Sequence, residues 1–272
     1  MPEIAEVETV RNTLKRMILN KKIIDVKVYY EKMIDNDINY FCDNVKNEHI
    51  NDILRRGKWL IFELDNFYLL SHLRMEGKYF VKSLDDKKGK HEHVIFILDD
   101  NSTLRYHDTR KFGRMKLVPK DKIAEVEELN KQGIEPLDDR LNKEYVYNKI
   151  HSKNIAIKTV LLDQTIISGL GNIYADEVLF DAGINPIRKA SSITLKEADK
   201  IVKGCNKIIA RAIMEGGTTI RSYTSSLGVT GRFQQYLMVH KRENEKCYKC
   251  GNIIKKIKIN GRSSYFCPKC QR

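Results

Sequence analysis

The spacing of apolar residues divides the chain into a β-rich first part and a helical second part. Residues 3–18 carry apolar side chains at helical spacing, and short runs that alternate apolar and polar residues dominate from about 23 to 118. Two pairs of these runs are joined by turn residues: Trp59–Leu64 with Tyr68–Leu73, and Val94–Leu98 with Thr103–Tyr106. This pattern predicts a β-sandwich or a flattened barrel that follows an N-terminal helix.

Beyond residue 121 the spacing becomes helical. Helices are predicted over residues 122–131, 143–151, 155–164, 172–182 and 194–214. Residues 121–145 contain eight acidic and four basic side chains, which is typical of a solvated connection between domains. The chain is therefore predicted to have an α+β fold with three domains, at residues 1–120, 121–236 and 237–272.

Four cysteines near the end of the chain have the spacing of a zinc ribbon. Cys247 and Cys250 form one Cys-x2-Cys pair, and Cys267 and Cys270 form another after sixteen intervening residues. The segment between the pairs alternates and contains Asn260-Gly261, which predicts a hairpin turn. A disulfide scaffold is the alternative, but no secretory signal is recognisable. We therefore predict one structural zinc ion held by four thiolates.

The charge of the chain points to a polyanionic partner. The formal net charge is +13, and residues 241–272 alone hold ten Lys or Arg against two acidic residues. A basic zinc ribbon is typical of nucleic-acid binding, although a merely solvated basic surface remains the alternative. No apolar run approaches the roughly 20 residues that span a bilayer, so a cytoplasmic protein is expected.

The first residues combine a potential nucleophile with two carboxylates. Removal of Met1 would leave Pro2 with a free secondary amine, and an α-amino group has a pKa of about 8. Such an amine attacks a carbonyl carbon and gives an iminium that stays cationic and withdraws electrons. Glu3 and Glu6 are close enough in sequence to move protons around it. The alternative is an ordinary helix start, which Pro and Glu also favour.

The turn between two predicted helices is rich in glycine. Gly169 and Gly171 permit a tight double turn with close backbone approach, and Asn172 is placed to cap the next helix. Exposed amides at that helix start are suited to bind a phosphate. A plain helical hairpin with a glycine turn explains the segment equally well.

Three independent motifs resemble those of formamidopyrimidine-DNA glycosylase, a family of bacterial base-excision repair enzymes. They are Pro2-Glu3-x-x-Glu6-Val7-Glu8, the Gly-Leu-Gly-Asn172 turn and Cys267-Pro-Lys-Cys270-Gln271. The resemblance extends over the whole chain. It implies a catalytic β-sandwich, a helix–two-turn–helix domain with a lesion-recognition loop at 216–232, and a zinc finger. It also implies double-stranded damaged DNA as the partner, and hence association with the nucleoid, with no small-molecule cofactor. A monomer is the default expectation.

The implied reaction excises oxidised purines, such as 8-oxoguanine and formamidopyrimidines, and then cleaves the strand by β,δ-elimination. Because the target base must leave the stack, the enzyme has to fill the vacated space. By resemblance the catalytic residues are Pro2, Glu3, Glu6, Lys58 and Arg262. The implied DNA-binding residues are His72, Met75, His91, Arg110, Phe112, Lys153, Lys158, Asn172, Lys256 and Arg262. Met75, Arg110 and Phe112 would enter the duplex. Without the resemblance, Met75 and Phe112 would be interpreted as core residues.

The chain departs from the family pattern at two places. Ala5 stands where proline is usual, and Val239-His240-Lys241-Arg242 replaces the usual Val-Tyr-Gly-Arg. The phosphate contact of that tyrosine is in doubt, with His240 or Lys241 as substitutes.

Three other functions compete with this interpretation. The related endonuclease VIII-like enzymes share Pro2, Glu3 and the finger but prefer oxidised pyrimidines. A non-enzymatic zinc-ribbon DNA-binding protein is a second possibility. A tautomerase that uses an amino-terminal proline is a third, but it would leave the basic finger unexplained.

Overall fold

The computed structural model describes residues 1–218 and 231–272, which form two compact units. The first unit contains residues 1–130 with Thr218 and Gly231, and the second contains residues 131–217 and 232–272. Among these residues, no helix combines the length and the apolar character needed to cross a membrane.

The first unit consists mainly of two four-stranded antiparallel sheets. One sheet has the strand order β1-β6-β7-β5, and the other has the order β2-β3-β4-β8. The helices are α1 (Ile4–Ile18), α2 (Ile38–Val45) and a short α3 (Glu127–Asn130). The strands are β1 (Ile23–Val28), β2 (Asp52–Arg56), β3 (Trp59–Glu63), β4 (Phe67–His72), β5 (Lys78–Ser83), β6 (Glu92–Leu98), β7 (Ser102–His107) and β8 (Arg114–Pro119).

The two sheets face each other across one hydrophobic core, which makes the unit a β-sandwich. Phe96 and Leu104 from one sheet share this core with Phe62 and Leu69 from the other. Val10 of α1 joins the same core, so the N-terminal helix is fixed to the sandwich through its apolar face. The predicted sandwich is confirmed, and the sheets do not close into a barrel.

Strand β3 is buried on both faces, and this explains a wrong prediction. Trp59 and Ile61 point away from the sandwich core and pack in a second cluster with Val118 and Val126. Val126 has extended backbone angles (φ −74°, ψ 102°), so it cannot lie within a helix. The helix predicted over 122–131 is therefore broken into a short 3-10 segment and α3.

Helix α2 was not predicted, although the sequence contains its signals. The carboxylate of Asp37 accepts a hydrogen bond from Tyr40 N at 2.9 Å and caps the first turn. Phe41 and Val45, four residues apart, are buried on one face of the helix. Phe41 packs against Phe96 with ring centroids 6.4 Å apart. The cap and the spacing together define this helix.

The second unit contains four helices and a hairpin. They are α4 (Lys143–Ile150), α5 (Ile157–Leu161), α6 (Asn172–Ala182), α7 (Leu195–Met214), β9 (Lys255–Ile259) and β10 (Arg262–Phe266). Asn260 and Gly261 both have positive φ (45° and 74°), as a tight two-residue hairpin turn requires. The predicted hairpin turn is confirmed. Phe180 of α6 packs with Val239, Ile254 and Cys267, so the hairpin and its cysteines share a small core with this helix.

A buried ion pair lies on the first sheet. Arg105 Nη1 is 3.0 Å from Glu92 Oε2, and both side chains are buried. Lys82 Nζ is 2.7 Å from the other oxygen of Glu92. Burial by itself raises the pKa of Glu92, but the hydrogen bonds from Lys82, Gly89 N and Arg105 outweigh it and lower the pKa to about 2.

Replacement of Glu92 by Gln should lower the free energy of unfolding by about 3–5 kcal/mol, because Arg105 would stay buried without its counter-charge. In the wild-type protein, the folded-state pKa lies below the ordinary value of 4.5. The stabilisation is therefore complete above pH 4.5 and is lost as the pH falls from 4.5 toward 2. Urea unfolding at a series of pH values measures both effects.

Asp25→Asn is the control, because Asp25 forms an exposed pair with Lys46 and its loss should change stability little. Equal losses for the two variants would contradict the role given to burial.

Candidate active site and zinc centre

The amino-terminal end of the first unit is buried. Pro2, Glu3 and Glu6 have little exposed surface. Glu3 and Glu6 form a capping box at the start of α1, in which Glu6 Oε2 accepts a hydrogen bond from Glu3 N at 2.9 Å. The first turn of α1 thereby holds Pro2 inside the unit.

The electrostatic surroundings of the amino group favour its neutral, nucleophilic form. Met1 precedes Pro2 in the structure, so the charged group is the amine of Met1, one residue before the proposed nucleophile. Burial lowers the pKa of this amine, and Lys58 lowers it further, against the opposing effects of Glu3, Glu6 and Glu76. Glu3, Glu6, Lys58 and Glu76 therefore lie within electrostatic range of the amino terminus.

Glu6 also binds Thr218. Its second oxygen, Oε1, accepts hydrogen bonds from Thr218 N at 2.8 Å and from Thr218 Oγ1 at 2.9 Å. Thr218 is the last described residue before residues 219–230. The lesion-recognition loop expected at 216–232 lies largely outside the described residues, but its first part is tied to the carboxylate beside Glu3.

The turn between β4 and β5 presents Met75 to solvent. Met75 is 38% exposed, which is unusual for methionine and contradicts its reading as a core residue. Arg74 has a left-handed backbone (φ 52°), so the turn is strained.

His72, at the end of β4, accepts a hydrogen bond from this turn: the N–H of Arg74 donates to His72 Nδ1 at 3.0 Å. Burial, aided by Arg74 and Lys58, lowers the pKa of His72 to about 3. His72 is therefore neutral near pH 7, with Nε2 as its donor.

The turn between β7 and β8 presents Arg110 and Phe112. Phe112 is 49% exposed, so it too is a surface residue, contrary to the core reading. The guanidinium carbon of Arg110 lies 4.8 Å from the centroid of the Phe112 ring, which is a cation–π contact. Lys111 between them has a left-handed backbone (φ 58°). A cationic fork and an apolar ring therefore occupy the same exposed turn.

His91 lies in a group of imidazole rings on the first sheet. Its ring centroid is 5.6 Å from that of His107 and 6.5 Å from that of His93. Burial is the largest of the effects that lower the pKa values of His93 and His107. His91 is half-buried and His93 is buried, so His91 is the more accessible of the two.

In the second unit, the glycine turn leads into α6. Gly169 has positive φ (91°), as a tight turn requires, whereas Gly171 is extended and is the N-cap. The prediction that Asn172 caps the helix is wrong, because Asn172 is its first residue. Its side-chain amide instead donates to the carbonyl oxygen of Ser263 at 2.9 Å. Asn172 thus connects the start of α6 to the hairpin strand β10.

Lys158 is buried, which contradicts its assignment as a direct DNA contact. Its side chain is 1% exposed, and Nζ lies 2.7 Å from Asp176 Oδ1. Nζ also donates to the carbonyl oxygen of Ser263 at 3.0 Å and to Ser264 Oγ at 2.8 Å. A buried lysine needs such partners, and these leave it no route to a phosphate. Lys158 instead fixes the hairpin to α5 and α6.

Of the other cationic residues assigned from the sequence, Lys58 is buried, whereas those in the second unit are accessible. Arg262 and Lys256 lie on the hairpin and are exposed, and Lys153 is half-buried in the segment before α5. Lys256 Nζ lies 3.1 Å from Glu243 Oε2, in an exposed ion pair that a phosphate could replace. The hairpin thus carries four exposed cations: Lys255, Lys256, Lys258 and Arg262.

His240 does not replace the phosphate contact of the family's tyrosine. It is buried, and its Nδ1 lies 2.8 Å from Asp176 Oδ2. Lys241, next to it, is exposed and remains the available cation. Nothing in the sequence alone indicated that Asp176, on α6, joins Lys158 to His240.

The four cysteines of the ribbon lie together as one ligand set. Their sulfur atoms all lie within 4.8 Å of one another, with Cys247 Sγ 3.9 Å from Cys270 Sγ and Cys250 Sγ 3.4 Å from Cys267 Sγ. Zinc–sulfur bonds of 2.3 Å in a tetrahedron place sulfurs about 3.8 Å apart, so the arrangement fits zinc. With four thiolates the site is closed and structural. Cys205 lies apart from it, and burial raises its pKa to about 12.

Three family models cover most of the chain. The formamidopyrimidine-DNA glycosylase N-terminal domain matches residues 1–115, the H2TH domain of the same enzymes matches residues 132–224, and the zinc finger found in FPG and IleRS matches residues 244–272. These matches define the class of the protein as a zinc-finger DNA glycosylase. The sandwich with its buried amino terminus, the helices of the second unit and the four-thiolate ribbon agree with this class.

Individual relatives agree with this class. The formamidopyrimidine-DNA glycosylase of Exiguobacterium sibiricum is 46% identical, with 100% of this chain and 99% of the relative covered. That of Mycoplasma genitalium is 44% identical, with 100% and 96% covered. A Lactococcus lactis FPG variant in complex with Fapy-dG containing DNA superposes with a TM-score of 0.95 at 39% identity, covering 100% of both chains. The chain belongs to the formamidopyrimidine-DNA glycosylase family.

Removal of zinc should unfold the ribbon and leave the β-sandwich folded, because the sandwich has a core of its own. Structural zinc supplies on the order of 10–16 kcal/mol to zinc-finger peptides. Chelation, or Cys267→Ser, should therefore abolish DNA binding. Hydrogen exchange of the strands, zinc content and a DNA-binding assay measure this. Cys42→Ser is the control and should keep both zinc and binding; full activity after verified zinc loss would contradict the prediction.

Proposed function

We propose that the protein is a bifunctional glycosylase and lyase that excises oxidised purines from double-stranded DNA through the amine of Pro2. The observation that carries the proposal is the buried Pro2 at the start of α1, directly before Glu3, whose N–H is hydrogen-bonded to Glu6. Solved relatives bind Fapy-dG and carbocyclic 8-oxo-G containing DNA, which supports the substrate class.

The proposed chemistry starts after Met1 is removed. The neutral amine of Pro2 attacks C1′ of the damaged nucleotide, the base leaves, and Glu3 assists base loss and opening of the sugar ring. The resulting iminium acidifies the C2′ proton. Loss of that proton expels the 3′ phosphate, and a second elimination expels the 5′ phosphate, which leaves a one-nucleotide gap.

Supporting residues in this proposal have separate roles. Lys58 favours the neutral amine, as its effect on the Met1 amine suggests. Glu6 keeps its two oxygens in hydrogen bonds with Glu3 and Thr218, and so holds the first turn and the start of the loop in place. Arg262 is exposed on the finger hairpin and is suited to bind a phosphate next to the lesion.

The exposed turn residues are proposed to enter the duplex. Met75 fills the space of the extruded nucleotide, Phe112 wedges between neighbouring bases, and Arg110 hydrogen-bonds the orphaned cytosine. Their exposure supports this role, because apolar side chains on the surface gain burial when they enter a base stack. The phosphates of the DNA backbone are proposed to be bound by His72, His91, Lys153, Asn172, Lys256 and Arg262.

The domain limits and cellular context follow as further proposals. We assign residues 1–120 to catalysis, 121–236 to the helical domain and 237–272 to the finger, and we propose a monomer that works in the cytoplasm on the nucleoid. An endonuclease VIII-like preference for oxidised pyrimidines is the second candidate. The combination of Met75, Arg110 and Phe112 favours the purine enzyme over it.

Borohydride should link the protein covalently to DNA that contains 8-oxoguanine opposite cytosine, and peptide mapping should place the link at Pro2. Glu3→Gln should abolish base release and leave lesion binding largely intact. Glu8→Gln, on the same helix and paired with Arg55 at 2.8 Å, is the matched control and should release the base. A link at Lys58 or another lysine would overturn the assignment of the nucleophile.

Arg110→Ala should reduce the preference for cytosine opposite the lesion, since a bidentate base contact discriminates by roughly 1–3 kcal/mol. Lys256→Ala should instead weaken binding to all duplexes alike. It should also reduce the slope of log affinity against log salt by about 0.9, the value for one phosphate. Titrations against four opposite bases at several salt concentrations separate the two effects. If both variants behave alike, Arg110 binds backbone and not a base.

A further inference from the structure

The two turns that carry the exposed residues are connected to each other. We name the β4–β5 turn (residues 73–77) the methionine turn and the β7–β8 turn (residues 108–113) the arginine turn. The hydroxyl of Thr109 in the arginine turn donates to a carboxylate oxygen of Glu76 in the methionine turn. This contact links Thr109, the residue before Arg110, to Glu76, the residue after Met75.

Below this contact, the arginine turn is organised by one buried carboxylate. Asp108 has no exposed surface, and its two oxygens accept three backbone hydrogen bonds of 2.9 Å each, from Arg110 N, Phe112 N and Gly113 N. The carboxylate thus fixes the residues on both sides of Lys111, which has positive φ. Charge-assisted bonds of this kind are stronger than neutral ones, and a strained turn needs them to persist.

The side chain of Tyr106 lies against both turns. A Cβ atom added to Gly77 would lie 2.1 Å from the Tyr106 hydroxyl oxygen, and one added to Gly113 would lie 1.9 Å from it. Gly77 belongs to the methionine turn and Gly113 to the arginine turn. The backbones of both turns therefore pack directly on the same buried hydroxyl group, so an inward movement of either turn would collide with Tyr106.

From these contacts we propose that Asp108 is a positioning residue and that the methionine and arginine turns enter DNA as one coupled unit. The inference rests on the proposed function, in which Met75, Arg110 and Phe112 occupy the vacated space. Asp108 does not touch DNA in this proposal. It acts through the backbone, by holding Arg110 and Phe112 in the geometry in which one pairs and the other stacks.

The coupling has a functional reason. Filling the space of an extruded base and reading the orphaned cytosine are useful only together, because either alone leaves an unpaired base or an empty stack. A turn that is already ordered before binding also loses less conformational entropy when it enters the duplex. Asp108 therefore determines specificity for the opposite base from a position inside the protein.

The first test replaces Asp108 by Asn, which can no longer accept all three backbone bonds. We expect the preference for cytosine over adenine opposite the lesion to fall about tenfold or more, as it does for loss of a direct base contact. Binding to an abasic-site duplex should weaken less. Asp100→Asn is the matched control, because Asp100 also accepts a backbone bond in a hairpin turn, from Ser102 N at 3.1 Å. It should keep the preference.

The second test measures coupling between the turns and does not depend on whether Asp108→Asn folds. Met75→Ala and Phe112→Ala are combined in a double-mutant cycle on lesion binding. Coupled turns should give a combined loss at least about fivefold smaller than the product of the single losses. Thr109→Val keeps the shape of the side chain and removes the contact to Glu76. In that background the losses should become more nearly multiplicative.

Each outcome has a defined meaning. Multiplicative losses in the wild-type background, or an unchanged opposite-base preference in a folded Asp108→Asn protein, would overturn the coupling. Borohydride trapping on abasic-site DNA is run in parallel with every variant. If the wild-type protein does not trap, the proposed function itself fails. If every variant traps and the cycle shows no coupling, only the present inference fails.

Discussion

The two carboxylate oxygens of Glu6 bind two different parts of the first unit, and the candidate active site depends on both contacts. One oxygen binds Glu3 N and closes the first turn of α1; the other binds the backbone and hydroxyl of Thr218. Both oxygens of a buried carboxylate need hydrogen-bond partners, so the loss of either contact would destabilise the folded state. The first turn of α1 and Thr218 are therefore held by the same side chain.

In the methionine and arginine turns, buried residues lie beneath exposed side chains. Asp108, Tyr106, Gly77 and Gly113 are buried, whereas Met75 and Phe112 are exposed. The left-handed Lys111 lies between residues that Asp108 binds, and the N–H of the left-handed Arg74 donates to His72 Nδ1. The energy of folding thus supports a backbone conformation that is unfavourable in the isolated turns.

The sequence predicted the larger features of the fold and of the site. The sandwich, helices α6 and α7, the hairpin turn and the four zinc ligands follow from periodicity, glycine and cysteine spacing. The break at Val126 was not predictable, because it depends on packing with Trp59 and Ile61 across distant strands. The burial of Lys158 was missed for a similar reason: its partner Asp176 lies on another helix, and a lysine on its own reads as a surface cation. Short-range patterns cannot show such long-range pairs.

Asp176 limits how the finger can be exchanged between relatives. One oxygen binds Lys158 of α5, and the other binds His240, at the approach to the ribbon. A chimera that imports a finger with tyrosine at this position would lose the imidazole that contacts the buried aspartate. A graft that begins after His240 would keep both bonds. The boundary at which this protein can be recombined is therefore set by a buried carboxylate and not by the zinc ligands.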